Sequence, residues 1–253
     1  MVIFLEKLVK LKNYLKGKFR NKKVIVAYSG GIDSLLLSLL LSEITETLCI
    51  FIKTPYISEW ALNNALINAK KYNLNLKIVK VDEVIENVPE RCYLCKKMFF
   101  KILNEKKEKY NYDVIVDGTN YDDLFEDRPG LRAKKEFNIF SPFADFKIGK
   151  KDILDIAKNL NIKIPPKETC LLTRFEFNRE VSIKDLKKIE ELEEFLRSYV
   201  KGAVRVRDYE DLAVIEIEDD LSNILNKKEE IIKKFKDYGF KKVCVNLEKY
   251  HGY

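Results

Sequence analysis

Ser29-Gly30-Gly31-Ile32-Asp33-Ser34 follows directly on the apolar run Val24-Ile25-Val26-Ala27-Tyr28 and leads directly into Leu35–Leu41. Two adjacent glycines permit positive φ and remove the side chains that would block an incoming phosphate. The backbone N–H groups that open the next helix, with about half a positive charge from its macrodipole, then face the ligand. Ser29 and Ser34 add hydroxyl donors. Asp33 would repel a phosphate by itself and therefore implies a bridging Mg²⁺. No Lys-Ser/Thr pair follows the glycines, which excludes the usual mononucleotide loop, and the Gly-x-Gly-x-x-Gly dinucleotide pattern is missing. The plainer alternative is a tight strand-to-helix turn, because Ser, Gly and Asp also cap helices.

Thiols form the second group. Of five cysteines, Cys49 and Cys244 lie in apolar runs and are expected to be buried strand residues, whereas Cys92-x-x-Cys95 and the distant Cys170 form a three-thiol set. Three thiolates can hold a [4Fe–4S] cluster with one iron left open. A single reactive or persulfide-forming cysteine, Cys170 foremost, and plain packing cysteines are the alternatives. Four-ligand zinc fits less well, since its fourth thiol would have to come from Cys49 or Cys244. The one histidine, His251, excludes a multi-histidine metal site or an internal histidine triad. Arg91 and Arg174 flank the thiols, and a nearby positive charge favours the thiolate. Arg205 and Arg207, two apart on a strand, share a face and suit an anionic ligand, or form a surface ion pair.

These groups need a scaffold. Ile3, Phe4, Leu8, Leu11, Leu15 and Phe19 recur at helical spacing. Strands are expected at Val24–Tyr28, Leu48–Lys53, Leu76–Val81 and Asp113–Asp117. Between and after them, helices are expected at about Asp33–Ile44, Glu59–Tyr72, Cys95–Lys109, Arg132–Phe137 and Lys151–Leu160. This alternation predicts an α/β domain, an open, mainly parallel sheet with helices on both faces. After Pro165-Pro166 the pattern becomes a helix at Ser182–Tyr199, strands at Ala203–Val206 and Leu212–Ile217, a helix at about Asp219–Lys236 and a strand at Lys242–Leu247. That tail predicts a small C-terminal α+β lobe, with domains at 1–175 and 176–253.

Composition narrows the function class. The 253 residues are 46% hydrophobic and 34% charged, as in globular proteins, with a net charge of +7. The excess is mostly lysine, which reads as a solvated face, while the few arginines beside the motifs read as local anion sites. No apolar run approaches a membrane span, and Glu6, Lys7 and Lys10 interrupt the N-terminal apolar residues too early for a signal peptide. The expected location is cytoplasmic, with no membrane partner.

Ser29-Gly-Gly-Ile-Asp-Ser34 resembles the signature of the PP-loop (adenine-nucleotide alpha-hydrolase) superfamily, whose members cleave ATP to AMP and pyrophosphate. Asp117-Gly-Thr-Asn120, after the fourth strand, is similar to the segment that lies by the nucleotide in relatives. Further segments resemble the ATP-dependent sulfur transferases of the LarE type: Arg91-Cys-Tyr-Leu-Cys-Lys-Lys97, Asp117–Asp123, Arg128-Pro-Gly-Leu-Arg132, Ser141-Pro-Phe143, Cys170-Leu-Leu-Thr-Arg174 and Val204-Arg-Val-Arg207. The resemblance implies ATP and Mg²⁺ at Ser29, Gly30, Gly31, Asp33, Ser34, Gly118, Thr119 and Arg132, with Asp33 and Cys170 catalytic. It implies an anionic pyridinium mononucleotide at Arg174, Arg205 and Arg207. Its three-cysteine branch implies a [4Fe–4S] cluster on Cys92, Cys95 and Cys170. The resemblance also implies a homo-oligomer. Where relatives end in Gly-aromatic-Arg-Ser-Gly, this chain has Lys249-Tyr-His-Gly-Tyr253. A tRNA thiolation enzyme shares the loop and the thiols, so tRNA is the less favoured partner, with no recognisable RNA-binding appendage. A non-catalytic nucleotide-binding regulator would leave Asp33 and the thiols unexplained.

Overall fold

A computed structural model describes residues 2–125, 130–166 and 168–250, and of residues 2–5 the backbone alone. Arg128 and His251, both singled out above, and the side chains of Ile3 and Phe4 lie outside the described residues. Contacts divide the chain into two units. The first comprises residues up to 53, 61–81 and 90–165; the second comprises 54–60, 82–89 and 166–253. The sequence pattern put a boundary near residue 175. Contacts place the change at 165/166, and two short upstream segments join the second unit.

The first unit carries α1 (Val2–Phe19), β1 (Val24–Ala27), α2 (Ile32–Ser42), β2 (Thr47–Lys53), most of α3 (Glu59–Lys71) and β3 (Leu76–Lys80). It continues with α4 (Arg91–Tyr110), β4 (Val114–Asp117), α5 (Gly130–Glu136), α6 (Pro142–Asp145) and α7 (Lys150–Asn159). The four strands are all parallel, in the order β3-β2-β1-β4. β1, β2 and β4 are almost wholly buried, which explains their unbroken apolar runs: a parallel strand covered on both faces has no polar side to present.

The strand order runs from β1 out to β3 and then returns to β4 on the other side of β1, so with right-handed crossovers α2 and α3 fall on one face and α4 on the other. Ile25, Leu48, Ile50, Ile52 and Ile115 face Phe100 and Leu103 of α4 and Ala133 of α5. Their neighbours of opposite parity point the other way, toward α2, against which α1 and α7 pack. Cys49 belongs to that set. It is buried and bonded to Ser38 of α2, and burial pushes its thiol up to about 11, so it is inert packing as expected.

The second unit holds α8 (Ile183–Arg197), β5 (Val204–Tyr209), β6 (Leu212–Ile217), α9 (Ser222–Leu225), α10 (Lys228–Asp237) and β7 (Lys242–Val245). β5 and β6 form an antiparallel hairpin; β6 pairs with β7 in parallel. Leu186, Ile189, Leu192 and Leu196 make the buried stripe of α8, and Val204, Val206, Ala213, Ile215 and Ile217 the inner sheet face. Ser182 and Asp185 cap α8 reciprocally, with Asp185 N–H on Ser182 Oγ at 3.2 Å and Ser182 N–H on Asp185 Oδ2 at 2.9 Å. Two expectations change here. The single helix over Asp219–Lys236 is two helices, because Lys227 leaves helical geometry at φ −114°, ψ 15°. Cys244 is exposed, not buried, because it pairs with Val214 on the outer face of the sheet, opposite the face that buries Ala213 and Ile215. No helix of the described residues is long and apolar enough to cross a membrane.

Candidate nucleotide site and thiol turns

In the first unit the strand order reverses between β1 and β4, and ligands of open α/β sheets bind beyond the carboxyl ends of strands at such a switch point. The loop after β1 enters α2 through Gly30 at φ +79°. A Cβ on Gly30 would stand 2.8 Å from Ala65 Cβ of α3. Gly31 is the extended N-cap of α2. Ser29 and Ser34 lock the loop: Ser34 Oγ accepts from Ser29 N–H at 3.2 Å and donates to the Gly31 carbonyl at 3.0 Å. Ala27 and Asp117 are register partners, so the loop after β4 emerges beside the first. There Gly118 closes on α2, where a Cβ would lie 2.7 Å from Ser34 N and 2.9 Å from the Asp33 carbonyl carbon. Both loops thus turn bare backbone to one helix N-terminus whose first-turn N–H groups lack intrahelical partners.

Asp117, buried at the end of β4, organises the second loop. Thr119 donates to it from N–H at 3.2 Å and from Oγ1 at 2.7 Å, and Ser141 Oγ donates at 2.6 Å. Lys134 of α5 lies 3.5 Å from its carboxylate and donates to Ser141 Oγ. Burial pulls the Lys134 ammonium below the usual lysine range, against the opposing pull of Asp117. A lysine depressed on folding binds fewer protons folded than unfolded, so stability should rise with pH from its lowered value up to about 10.4, where the unfolded lysine titrates. Urea unfolding of wild type and Lys134→Met across that window should show this rise in the wild type alone. Parallel curves would contradict it.

Asp33, in the first turn of α2, receives Lys150 Nζ at 2.8 Å on both carboxylate oxygens. Lys150 opens α7, and its own N–H donates to Asp122 Oδ2 at 2.6 Å. Neither Lys150 nor Lys134 stood out in the sequence, where Lys and Arg together number 47. The usable signal for Lys150 was its place just after Gly149, at a helix start.

Cys92 and Cys95 lie three apart in the first two turns of α4, on one helical face, Cys92 exposed and Cys95 half-buried. Gly130 of α5 lies against these turns, beside Lys96 and the Cys92 carbonyl. Arg132, expected among the nucleotide ligands, is exposed on α5, with its guanidinium 4.9 Å from the centre of the Tyr93 ring. Cys170 belongs to the second unit, so the three thiols divide between the units. Within either unit no three described His, Cys, Asp or Glu side chains gather to hold a metal ion.

Cys170 opens a short 3₁₀ turn, Leu171–Arg174, fixed by a buried ion network. Arg174, with its side chain 0% exposed, donates from Nε to Glu193 Oε1 at 2.7 Å and from Nη2 to Glu168 Oε1 at 2.8 Å. Its Nη1 reaches Thr169 Oγ1 at 2.6 Å, Thr173 Oγ1 at 2.7 Å and the Cys170 carbonyl at 3.2 Å. Burial works against the guanidinium charge, but Glu193 and then Glu168 outweigh it and hold Arg174 protonated. Arg205 joins through Glu168 at 3.4 Å, whereas Arg207 pairs with Glu216 at 2.8 Å and donates to the Thr173 carbonyl at 2.6 Å. Of the three arginines expected to meet a ligand, Arg174 and Arg205 are thus buried among carboxylates, and all three brace the Cys170 turn or its neighbours.

No family model matches the chain. An uncharacterized protein of Methanocaldococcus jannaschii is 84% identical over 252 residues, covering all of both chains. The pyridinium-3,5-bisthiocarboxylic acid mononucleotide synthase of Lactiplantibacillus plantarum is 25% identical over 237 residues, 89% of this chain and 86% of that one. A GMP synthase (glutamine-hydrolyzing) of Borrelia garinii subsp. bavariensis is 28% identical over 174 residues, 59% of this chain but 33% of that enzyme.

Proposed function

Because the chain belongs to one family with the Methanocaldococcus jannaschii protein and, more distantly, to the PP-loop ATP-using enzymes, we propose that it is an ATP-dependent adenylating sulfur transferase of the LarE type. The observation that carries the ATP half is the seat of Gly118 on the N-terminus of α2. It leaves a cradle of backbone donors with Asp33 at its rim, suited to a polyphosphate and a divalent cation. The sulfur half is supported by the similarity to the Lactiplantibacillus plantarum synthase over 89% of the chain and by the thiols at Cys92, Cys95 and Cys170.

In this reading the substrate is a small nucleotide bearing a carboxylate. A carboxylate oxygen attacks the α-phosphorus of ATP, the bond to the β-phosphate oxygen breaks, and pyrophosphate leaves. Sulfide sulfur then attacks the acyl carbon, and AMP leaves from the tetrahedral centre to give the thiocarboxylate. Ser29, Ser34 and the backbone of Gly30, Gly31, Gly118 and Thr119 orient the phosphates, and Asp33 holds Mg²⁺. Arg207, the partly exposed one of the three, supplies cationic charge toward the substrate's phosphate or carboxylate, while the buried Arg174 and Arg205 fix the Cys170 turn and its Glu168 neighbour. The thiol donor set suits iron, and a [4Fe–4S] cluster held by Cys92, Cys95 and Cys170 would supply an open iron to carry the sulfide.

The test is anaerobic incubation with ATP, Mg²⁺, sulfide and a pyridinium carboxylate mononucleotide, read by product mass. Exchange of one carboxylate oxygen for sulfur is expected. ATP binding without any such exchange would refute the sulfur-transfer reading. Iron and labile sulfide on the same preparation should disappear in both Cys92→Ala and Cys170→Ala; iron that survives either substitution would refute the cluster.

A further inference from the structure

Lys150 and Asp33 form an ion pair where the proposed function requires a metal ion. Both carboxylate oxygens of Asp33 accept from the one ammonium, each at 2.8 Å. An ammonium on both oxygens occupies the carboxylate's shared edge, and a second cation brought to the remaining lone pairs would meet its repulsion. The backbone under Lys150 is fixed: its N–H is held by Asp122 Oδ2 at 2.6 Å, and the Gly149 N–H by Asp152 Oδ2 at 3.1 Å. The side chain is the movable part. It ends in a compact charge on four flexible carbons, with 44% of its surface exposed, while Asp33 is 28% exposed.

We propose that Lys150 is the place-holder for the divalent cation, occupying Asp33 until Mg²⁺ arrives with the nucleotide and then transferring its ammonium to the phosphates. The inference rests on reading this loop as an ATP–Mg²⁺ site, which it deepens. Metal alone must displace a cation to reach Asp33. Metal–nucleotide replaces the Lys150–Asp33 pair with two pairs, Asp33 to metal and Lys150 to phosphate. The site therefore favours the metal–nucleotide complex over the bare ion, and binding of the two is coupled. An exposed pair holds its partners weakly, so the barrier against bare metal is small and readily reversed.

The test uses the full-length protein without nucleotide, titrated with Mn²⁺ and followed by electron paramagnetic resonance of the free ion. Equilibrium dialysis measures ATP with Mg²⁺ in parallel. Lys150→Met should bind Mn²⁺ about three- to fivefold more tightly than wild type, the upper part of the range expected for release of an exposed ion pair. The same variant should bind ATP–Mg²⁺ about tenfold or more weakly, for loss of a charge-assisted phosphate contact. Opposite signs from one substitution are the signature, since mere loosening of the loop would weaken both. Lys151→Met removes the same charge from the exposed neighbouring position and should move neither value by more than about twofold. Lys150→Met combined with Asp33→Asn should lose the gained Mn²⁺ affinity. Equal Mn²⁺ affinities in wild type and Lys150→Met, or an equal gain in Lys151→Met, would overturn the exchange. If wild type binds ATP–Mg²⁺ in that case, the exchange alone falls; if it does not, the nucleotide reading falls with it.

Discussion

Gly118→Ala is expected to lower the affinity for ATP by about 100-fold or more, roughly 2.7 kcal/mol. The added methyl would stand 2.7 Å from Ser34 N and 2.9 Å from the Asp33 carbonyl carbon. Both are backbone atoms of the first turn of α2 and cannot swing aside as a side-chain tip would. Either β4's loop or the helix N-terminus must shift, and the methyl would in any case cover the Ser34 N–H, one of the donors a phosphate would use. Overpacking should also cost about 1–3 kcal/mol of stability. Circular dichroism with isothermal titration calorimetry separates the two effects. Gly17→Ala is the matched control. No atom lies within 4 Å of a Cβ at Gly17, inside α1, and the change should stabilise the helix by about 0.5–1 kcal/mol without touching ATP affinity. Wild-type ATP affinity in Gly118→Ala would contradict the two-loop cradle.

Glu193→Gln should produce the largest loss of stability, about 3–5 kcal/mol, as breaking a buried ion pair from one side does. Glu193 is 1% exposed and binds Arg174 twice, at 2.7 and 3.1 Å, while also accepting from Val206 N–H at 3.0 Å. Burial would raise its carboxyl pKa, but Arg174, then Arg205 and Arg197, reverse this and hold it below the usual carboxylate range. Its contribution is therefore complete above the ordinary carboxylate pKa of about 4.3 and is lost as pH falls through its lowered folded value. Chemical denaturation should show that acid-side loss in the wild type and not in Glu193→Gln. Pairing Glu193→Leu with Arg174→Met should recover part of the stability, because Glu168 keeps Arg197 and Arg205 as partners, although Val206 N–H loses its acceptor. The double variant would still lose the Arg174 bonds to Thr169, Thr173 and the Cys170 carbonyl. The Cys170 thiol should then react faster with an alkylating reagent even where stability is restored. Unchanged reactivity would remove Arg174 as a positioning residue for that turn.

The parallel sheet was legible because burial on both faces leaves no polar residue to confuse the pattern: Val24–Ala27, Thr47–Lys53 and Val114–Asp117 differ from the expected strands by a residue at most at each end. Gly30 and Gly118 were legible because close backbone approach admits few other residues. The start of α4 was read four residues late. Its N-cap, Glu90, makes no side-chain capping bond, so Arg91–Leu94 carried no start signal. Cys244 was misread because an apolar run does not reveal which of its side chains face the uncovered side of the sheet. Lys150, Lys134 and Glu193 were invisible for a different reason. Each is one charged residue among many, and its importance comes from a partner 117, 17 or 19 positions away that only the folded chain supplies. The segments 54–60 and 82–89 likewise join the second unit through contacts such as Leu171 N–H on the Tyr56 carbonyl at 2.8 Å and Asn178 N–H on the Asn87 carbonyl at 2.7 Å.

The most direct measurement is the identity of the nucleotide product. Purified protein would be incubated anaerobically with ATP, Mg²⁺, sulfide and a pyridinium carboxylate mononucleotide, and the nucleotides separated by chromatography, with Asp33→Asn alongside. AMP and pyrophosphate in equal amounts, dependent on the carboxylate and absent from Asp33→Asn, is the predicted result. ADP and phosphate, or turnover that survives in Asp33→Asn, would contradict the adenylation account at its base.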